Sequence, residues 1–386
     1  MVESRWVRWI GPGVVALGAV GFIASTTLGA GDRPWSPRAC TGPPEDLIAA
    51  ARDPGPTAPA DLRDEPWFRV DPLLDQGGAL RGQRLAVGVG DDADPPDAEL
   101  PPESFVAGPF GRVILVGADD GATSRLRVFD VASGCAWAVA QEGDVIRRAT
   151  IDPGGAWIYE TRVDRTSRAD LGVWQRPLDG SAPARRILAP LPADDRFGRT
   201  FTTEFTWDAR GRRLAIQACG EVACRTRIHA PAGGPTAMLD TPDLGLLVGF
   251  DGDLVVTYGA CRGMPCAIVS TDLATGERHV LAADGGPALL MATGDGVRLI
   301  HETRLEMRRG LRSVALDGSA ALDLGPLPDG LSPHLPAVYA GAATRLPPGW
   351  VLLAPDGRLP AERTTPGPLL RRIPDGLTVP LDEATR

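Results

Sequence analysis

LGLLVGFDGDLVVTYGACRGMPCAIVSTDLATGERHVLAAD, residues Leu244–Asp284, decides the fold. Four short apolar runs, LLVGF, DLVVTYG, CAIVSTDL and ERHVLA, are separated by the turn signals DGD, CRGMPC and ATG. Short β-branched runs punctuated by Gly and Asp describe one four-stranded antiparallel sheet written out linearly. Working outward, the same pattern recurs. The turns leading into each second strand read PFGRVILVG, PGGAWIYET, ARGRRLAIQ, FDGDLVVTYG, GDGVRLIHE and PPGWVLLA, with turn glycines at Gly111, Gly155, Gly211, Gly252, Gly296 and Gly349. The steps between them are 44, 56, 41, 44 and 53 residues. A second marker keeps step at the turn after each third strand: FDVASG, RPLDG, HAPAGG, TDLATG, ALDG and IPDG. Gly and Asp dominate these turns because tight turns need positive φ or local side-chain bonding.

Self-similarity of roughly 40 to 45 residues, all strand and turn, is the signature of a propeller with four strands per blade. The expected architecture is therefore all-β, a six-bladed β-propeller over 102–386. The stretch ALRGQRLAVGVG, near 79–90, is left over as a strand that would pair with the last blade and help close the ring. Closure removes the unpaired strand edges that invite aggregation.

Composition narrows the function. The chain has 386 residues and a net charge of -9, which disfavours nucleic acid as a partner, because phosphate binding needs clustered positive charge. It contains no Lys and no Asn, so all 40 basic residues are Arg. That excludes a Schiff-base lysine, a P-loop lysine and an N-glycosylation sequon.

Residues 1–31 read as a membrane signal. Arg5 and Arg8 precede IGPGVVALGAVGFIASTTLGAG, and no charge follows until Asp32. Roughly twenty such residues cross a bilayer, and arginines on the N-terminal side keep that end cytoplasmic. The competing reading is a cleaved signal peptide, which would make the chain secreted; its cleavage pattern is poor. Either route exports the rest. Residues 32–101, rich in Pro, Gly and Asp, are expected to be a linker. Its acidic run Asp91–Asp97 lacks EF-hand spacing and is broken by two prolines, so a solvated linker is the better reading than a calcium loop.

Six cysteines fit an oxidising compartment. Cys219 with Cys224 and Cys261 with Cys266 are both C-x4-C, each between second and third strands. Facing strand ends have the Cα spacing that a disulfide needs. A single zinc site built from all four is the rival, against which stand the wide spacing and the absence of a neighbouring His. Cys40 and Cys135 remain, and a bond between them would clamp the linker to one rim.

IDPGGAWIY, WDARGRRLAI and LAPDGRL resemble the turn of TolB-like and WD40-like (PD40) propeller repeats, over residues 102–382. Asp152 with Gly155 and Asp208 with Gly211 sit in that motif, whereas the repeat from Leu244 lacks its proline. The resemblance implies the propeller fold and a binding scaffold, and it carries over no catalytic residue. In such propellers the loops after second and fourth strands share one face. That face, opposite the membrane-side clamp, would carry ADDGATS, TRVDRTSRAD and ETRLEMRRG. Its candidate recognition residues are Arg162, Asp164, Arg165, Arg168, Asp170, Glu302, Arg304, Glu306, Arg308 and Arg309, arginine forks suited to carboxylates or a partner protein.

Enzyme signals are sparse. TIDPGGAW matches a sialidase Asp-box through Thr150, Asp152, Gly154 and Trp157, but once only and between the wrong strands. No G-x-S-x-G elbow occurs, and His229, His279, His301 and His334 lack metal-ligand spacing. No cofactor or metal is expected. The sequence points to an exported, membrane-tethered, non-catalytic scaffold that binds protein, peptide or glycan in the cell envelope. The alternatives are an envelope polysaccharide hydrolase or lyase and a structural module of a larger assembly.

Overall fold

The computed structural model describes residues 38–40, 42, 66–75, 79–89, 97–101, 104–110, 113–130, 133–191, 202–208, 212–220, 223–242, 245–259, 266–293, 295–305, 308–333, 349–355, 369–373 and 375–380. Every element among them is a strand. No helix among them is long and apolar enough to cross a membrane, and the expected membrane segment, residues 1–31, lies outside the described residues.

The first strand, β1 (Arg38–Ala39), is followed by an N-terminal sheet of β2 (Pro66–Leu74), β3 (Leu80–Val89) and β4 (Asp97–Leu100). Six more sheets follow in chain order. The first is β5 (Phe105–Phe110), β6 (Val113–Asp119), β7 (Ser124–Asp130) and β8 (Cys135–Glu142). The second is β9 (Val145–Ile151), β10 (Trp157–Val163), β11 (Asp170–Pro177) and β12 (Arg185–Leu188). The third is β13 (Thr202–Trp207), β14 (Leu214–Cys219), β15 (Ala223–His229) and β16 (Ala237–Pro242). The fourth is β17 (Leu247–Asp251), β18 (Leu254–Tyr258), β19 (Cys266–Asp272) and β20 (Arg278–Gly285). The fifth is β21 (Ala288–Thr293), β22 (Gly296–Leu305), β23 (Arg308–Ala315) and β24 (Leu322–Pro326). The sixth is β25 (Leu331–Ser332), β26 (Trp350–Pro355), β27 (Leu369–Arg372) and β28 (Thr378–Pro380).

Each of the six is an antiparallel meander with its strands side by side in sequence order, as the repeat predicts. The first strands are neighbours in succession, β5 with β9, β9 with β13, β13 with β17 and β17 with β21, so the sheets share an inner edge. Both faces of each sheet are apolar because each packs on a neighbour. Leu115, Leu126, Val128 and Trp137 of the first sheet meet Ile146, Ile151 and Ile158 of the second. Tyr159 and Val173 of the second meet Leu214 and Ile216 of the third. Ile228 of the third meets Phe250 and Val255 of the fourth. A fully buried aliphatic side chain of this kind is worth about 1.5–3 kcal/mol, so no single sheet stands without its neighbours.

Residues 32–101 depart from the expectation. β3 lies where a strand was foreseen, but among the described residues it pairs with β2 and β4 instead of the last repeat, from Pro66↔Val89 to Leu74↔Leu80 and from Gln83↔Leu100 to Ala86↔Asp97. A seventh sheet therefore stands beside the six. Leu85 is fully buried against Ile114 and Phe129 of the first sheet, which gives this stretch the apolar burial that a linker lacks. Farther upstream, β1 adds a parallel fifth strand to the outer edge of β8, pairing Arg38 with Cys135 and Ala39 with Ala136.

One glycine is required by close approach. Gly172 has φ near +87°, and a Cβ there would fall 2.2 Å from the Leu188 carbonyl oxygen. Glycine lets β11 pass under the end of β12, and this fixes the position of Ala189 that follows.

Candidate functional site

The hairpins joining second to third strands carry the expected recognition residues. Arg165, in the β10–β11 hairpin, forks onto Asp119 at the end of β6 with two bonds of 2.8 Å. Its Nε also donates to the Gly143 carbonyl, 2.7 Å away in the connection from β8 to β9. Hairpins after second strands and connections after fourth strands therefore lie on one face, as the fold implies. Burial pushes the Asp119 carboxyl up, and the bonds from Arg165 and from the Gly121 amide more than offset this, so its pKa lies below the usual carboxylate value. Neighbouring Asp120 accepts the Thr123 and Ala122 amides at 2.7 and 3.0 Å and closes the β6–β7 turn.

Asp164 shapes its hairpin in the same way. Its Oδ1 accepts the Ser167 amide at 2.6 Å, the Ser167 hydroxyl at 2.7 Å and the Thr166 amide at 3.1 Å. These bonds, the Ser167 amide first, hold its carboxyl below the ordinary range. The turn closes with Arg168 in the left-handed region at φ 60°. That conformation costs a non-glycine residue about 1–2 kcal/mol. The Arg168 guanidinium makes no hydrogen bond or ion pair among the described residues. Asp170 is occupied by the backbone, accepting the Gly172 amide at 3.0 Å and the Leu191 amide at 2.6 Å.

Arg162 is a correction. It was expected on the exposed loop, but β10 runs on to Val163 and Arg162 is 4% exposed. Its Nε donates to Glu160 at 2.7 Å and its Nη2 to Glu142 at 3.0 Å. The guanidinium stacks 4.3 Å from the centre of the Trp174 ring. Arg176 of β11 binds the same two carboxylates, Glu160 at 2.9 Å and Glu142 at 2.6 Å, and donates to the Val139 carbonyl at 2.7 Å. Two arginines thus face two glutamates between the first and second sheets. Sequence reading missed this cluster, although strand alternation held the signal. Glu160 and Arg162 are two apart on one strand, so they share a face.

On the fifth sheet, Arg309 forks onto Glu302 at 2.6 and 2.7 Å and donates to the Leu331 carbonyl at 2.8 Å. Arg304 and Arg308 end this hairpin; Arg304 stands opposite Arg309, and Arg308 opposite Leu305. Both are exposed, and neither has an ion pair among the described residues. Glu306 lies outside the described residues. The structure therefore divides the expected set. Arg162, Arg165 and Arg309 hold the scaffold together, while Arg168, Arg304 and Arg308 remain available on the face.

Two of the three expected cysteine pairs are seen. Cys219 and Cys224 are direct cross-strand partners with Cα atoms 4.1 Å apart and are disulfide-bonded. Cys266 is also disulfide-bonded; Cys261 lies outside the described residues. Cys40 and Cys135 are bonded across 95 residues and fasten the end of β1 to the first residue of β8.

Among the other candidates, Asp152 organises the β9–β10 turn, accepting the Gly154, Ala156 and Trp157 amides. Tyr159 is 1% exposed, accepts a bond from Gln175 at 2.9 Å and has its hydroxyl pKa pushed up by burial, so it is a packing residue. Trp137 and Trp207 pack between sheets, whereas Trp157 is 37% exposed. His301 is buried, and burial lowers its pKa. Its Nδ1 lies 3.0 Å from the Glu302 carbonyl. His334 lies outside the described residues.

The sequence matches no protein-family model and no curated protein. Among solved structures, a prolyl endopeptidase superposes with a TM-score of 0.51 at 15% identity, over 87% of this chain and 52% of that one. TolB from Acinetobacter baumannii gives 0.40 at 14% identity, over 68% of this chain and 63% of that one. The β-propeller domain of the Trilobed protease from Pyrococcus furiosus gives 0.46 at 10% identity, over 82% and 94%. The chain spans between 52% and 63% of the length of the first two. At such identities the likeness concerns the fold alone; the β-propeller architecture is read from the successive four-stranded meanders, whose first strands neighbour one another.

Proposed function

We propose that this chain is an exported, membrane-tethered β-propeller without catalytic activity, which binds a protein, peptide or glycan of the cell envelope through its hairpin face. One observation carries the reading. Arg304 and Arg308 stand exposed without ion pairs among the described residues, on a hairpin whose base is held by the Arg309–Glu302 fork. Free guanidinium forks on a rigid support suit carboxylate recognition, because little side-chain and loop entropy is left to lose. Arg168 and the Cys219–Cys224 hairpin extend the same face.

The disulfides support an oxidising compartment, and the apolar segment between Arg8 and Asp32 supports a membrane tether, with the propeller on the extracytoplasmic side. The N-terminal sheet, packed on the first sheet through Leu85, is on this reading a seventh blade. Crosslinking in native membranes tests the proposal. Wild type yields a stoichiometric adduct that Arg304→Ala with Arg308→Ala loses while the Cys219–Cys224 bond and the melting temperature are kept. An adduct indifferent to these substitutions refutes loop recognition.

A further inference from the structure

Among the described residues the N-terminal sheet has three strands where each of the six that follow has at least four. Its last strand, β4, pairs with β3 alone, so the outer edge of β4 carries no partner strand. Leu100 of β4 packs with Leu85 against Ile114, Phe129 and Ala136, which lays this sheet over part of the first sheet. Beyond that contact, β7 and β8 open into a cavity of about 470 Å³ lined by Arg125, Arg127, Ala138, Val139, Ala140 and Gln141. Arg125, Arg127 and Phe129 alternate along β7, so both arginines share the face that Leu85 covers at Phe129.

The third sheet shows what such an arginine does when the sheet before it has a fourth strand. Arg127 stands opposite Val116, and Arg227 of β15 stands opposite Ile216. Each of these partners lies five residues past the turn glycine of its sheet, Gly111 or Gly211, so the two arginines hold equivalent positions. Arg227 donates through Nη1 to the Ala189 carbonyl, just past the fourth strand of the sheet before, at 2.5 Å. For Arg127 the sheet before ends at β4. Its exposed guanidinium makes no hydrogen bond or ion pair among the described residues and borders the cavity instead.

The described acids nearby are engaged elsewhere. Asp119 is forked by Arg165, and Glu142 accepts from Arg162 and Arg176. Asp120 accepts the Ala122 and Thr123 amides and pairs with Arg125 at 3.1 Å. Glu99 of β4 is exposed and pairs with Arg81 at 3.5 Å. A chain of net charge -9 thus presents, beside a free strand edge, a cavity whose two cations share one described carboxylate.

We infer that an extended acidic peptide of a partner protein adds to the free edge of β4, in the place that a fourth strand takes in the other sheets, with two of its carboxylates on Arg125 and Arg127. Residues two apart on a strand lie about 6.6 Å apart on one face, so a Glu-x-Glu peptide matches the arginines at 125 and 127. Main-chain bonds to the edge supply affinity, and the charged forks supply selectivity. This site is separate from the hairpin-face arginines Arg304 and Arg308.

Fluorescence anisotropy of fluorescein-Val-Glu-Val-Glu-Val-amide, titrated with the full-length chain, tests this. The chain carries Arg304→Ala and Arg308→Ala throughout, so that the hairpin face cannot contribute. The expected result is a saturable rise that weakens by about tenfold or more when both Glu are replaced by Gln, and equally when Arg127→Gln is added with the melting temperature kept. Methylating the peptide's backbone nitrogens also abolishes it, because strand addition needs those donors. Absence of saturable binding, equal affinity for the Glu and Gln peptides, or an affinity unchanged by Arg127→Gln or by methylation overturns the assignment. Self-association of the chain that Arg127→Gln abolishes would give the place to a second copy and overturn it too.

Discussion

Neutralising Glu160 is the sharpest perturbation that the fold offers. Glu160 is fully buried and takes bonds from the Arg162 Nε at 2.7 Å, the Arg176 Nε at 2.9 Å and the Arg176 Nη2 at 3.0 Å. With Glu142 it balances two guanidiniums, each less than a tenth exposed. Glu160→Gln keeps the shape but leaves an excess positive charge between the first and second sheets. Removing one partner of a buried ion pair costs about 3–5 kcal/mol. Urea unfolding followed by tryptophan fluorescence reads the loss as a midpoint lowered by about 1–1.7 M, for a slope near 3 kcal/mol/M. Because the cluster is shielded from solvent ions, 0.5 M salt leaves most of that loss in place. The triple variant Glu160→Leu, Arg162→Met, Arg176→Met recovers most of the stability, since apolar replacement removes the desolvation cost together with the attraction. A Glu160→Gln loss below about 1 kcal/mol, beside a Leu126→Ala control costing about 2–5 kcal/mol, would refute the reasoning.

The two described disulfides differ in the loops they close. Opening Cys40–Cys135 with Cys40→Ser costs about 4–5 kcal/mol in the loop-entropy account, whereas Cys219→Ser with Cys224→Ser costs about 2 kcal/mol and mainly speeds amide exchange in its hairpin. Similar losses for both by chemical denaturation would contradict this. Arg168→Gly relieves the left-handed strain and raises stability by up to about 1 kcal/mol; a loss would show that the guanidinium holds the hairpin. Asp119 has a folded pKa below its unfolded value, so its contribution is present above the unfolded pKa and fades as pH falls through the folded one. Asp119→Asn therefore flattens the acid limb of the stability profile, and an unchanged limb counts against the Arg165 fork. Leu85→Ala costs about 2–5 kcal/mol if the N-terminal sheet is integral; a silent substitution would return that sheet to the status of an appendage.

Much of this architecture is written in the chain because turn chemistry is local. Gly155, Gly180, Gly252, Gly276, Gly296, Gly318, Gly349 and Gly376 all take positive φ, so both turn markers of the repeat are backbone requirements. The cysteine pairing was legible for the same reason, since Cys219 and Cys224 sit at facing strand ends. The N-terminal sheet was hidden by composition. Its strands are separated by prolines and acids, and its place depends on nonlocal burial of Leu85 against Ile114 and Phe129. The division of the arginines was equally illegible. Arg162, Arg165 and Arg309 are spent on Glu160, Asp119 and Glu302, and two of these acids could be matched only through strand register or contact between adjacent sheets.

A photo-crosslinker placed at Arg304 on the hairpin face, and at Ala274 in the β19–β20 turn on the opposite face, probes the binding claim most directly in native membranes. The account predicts a discrete adduct from position 304 and none from position 274. Adducts from position 274 alone, or equally from both, would contradict it.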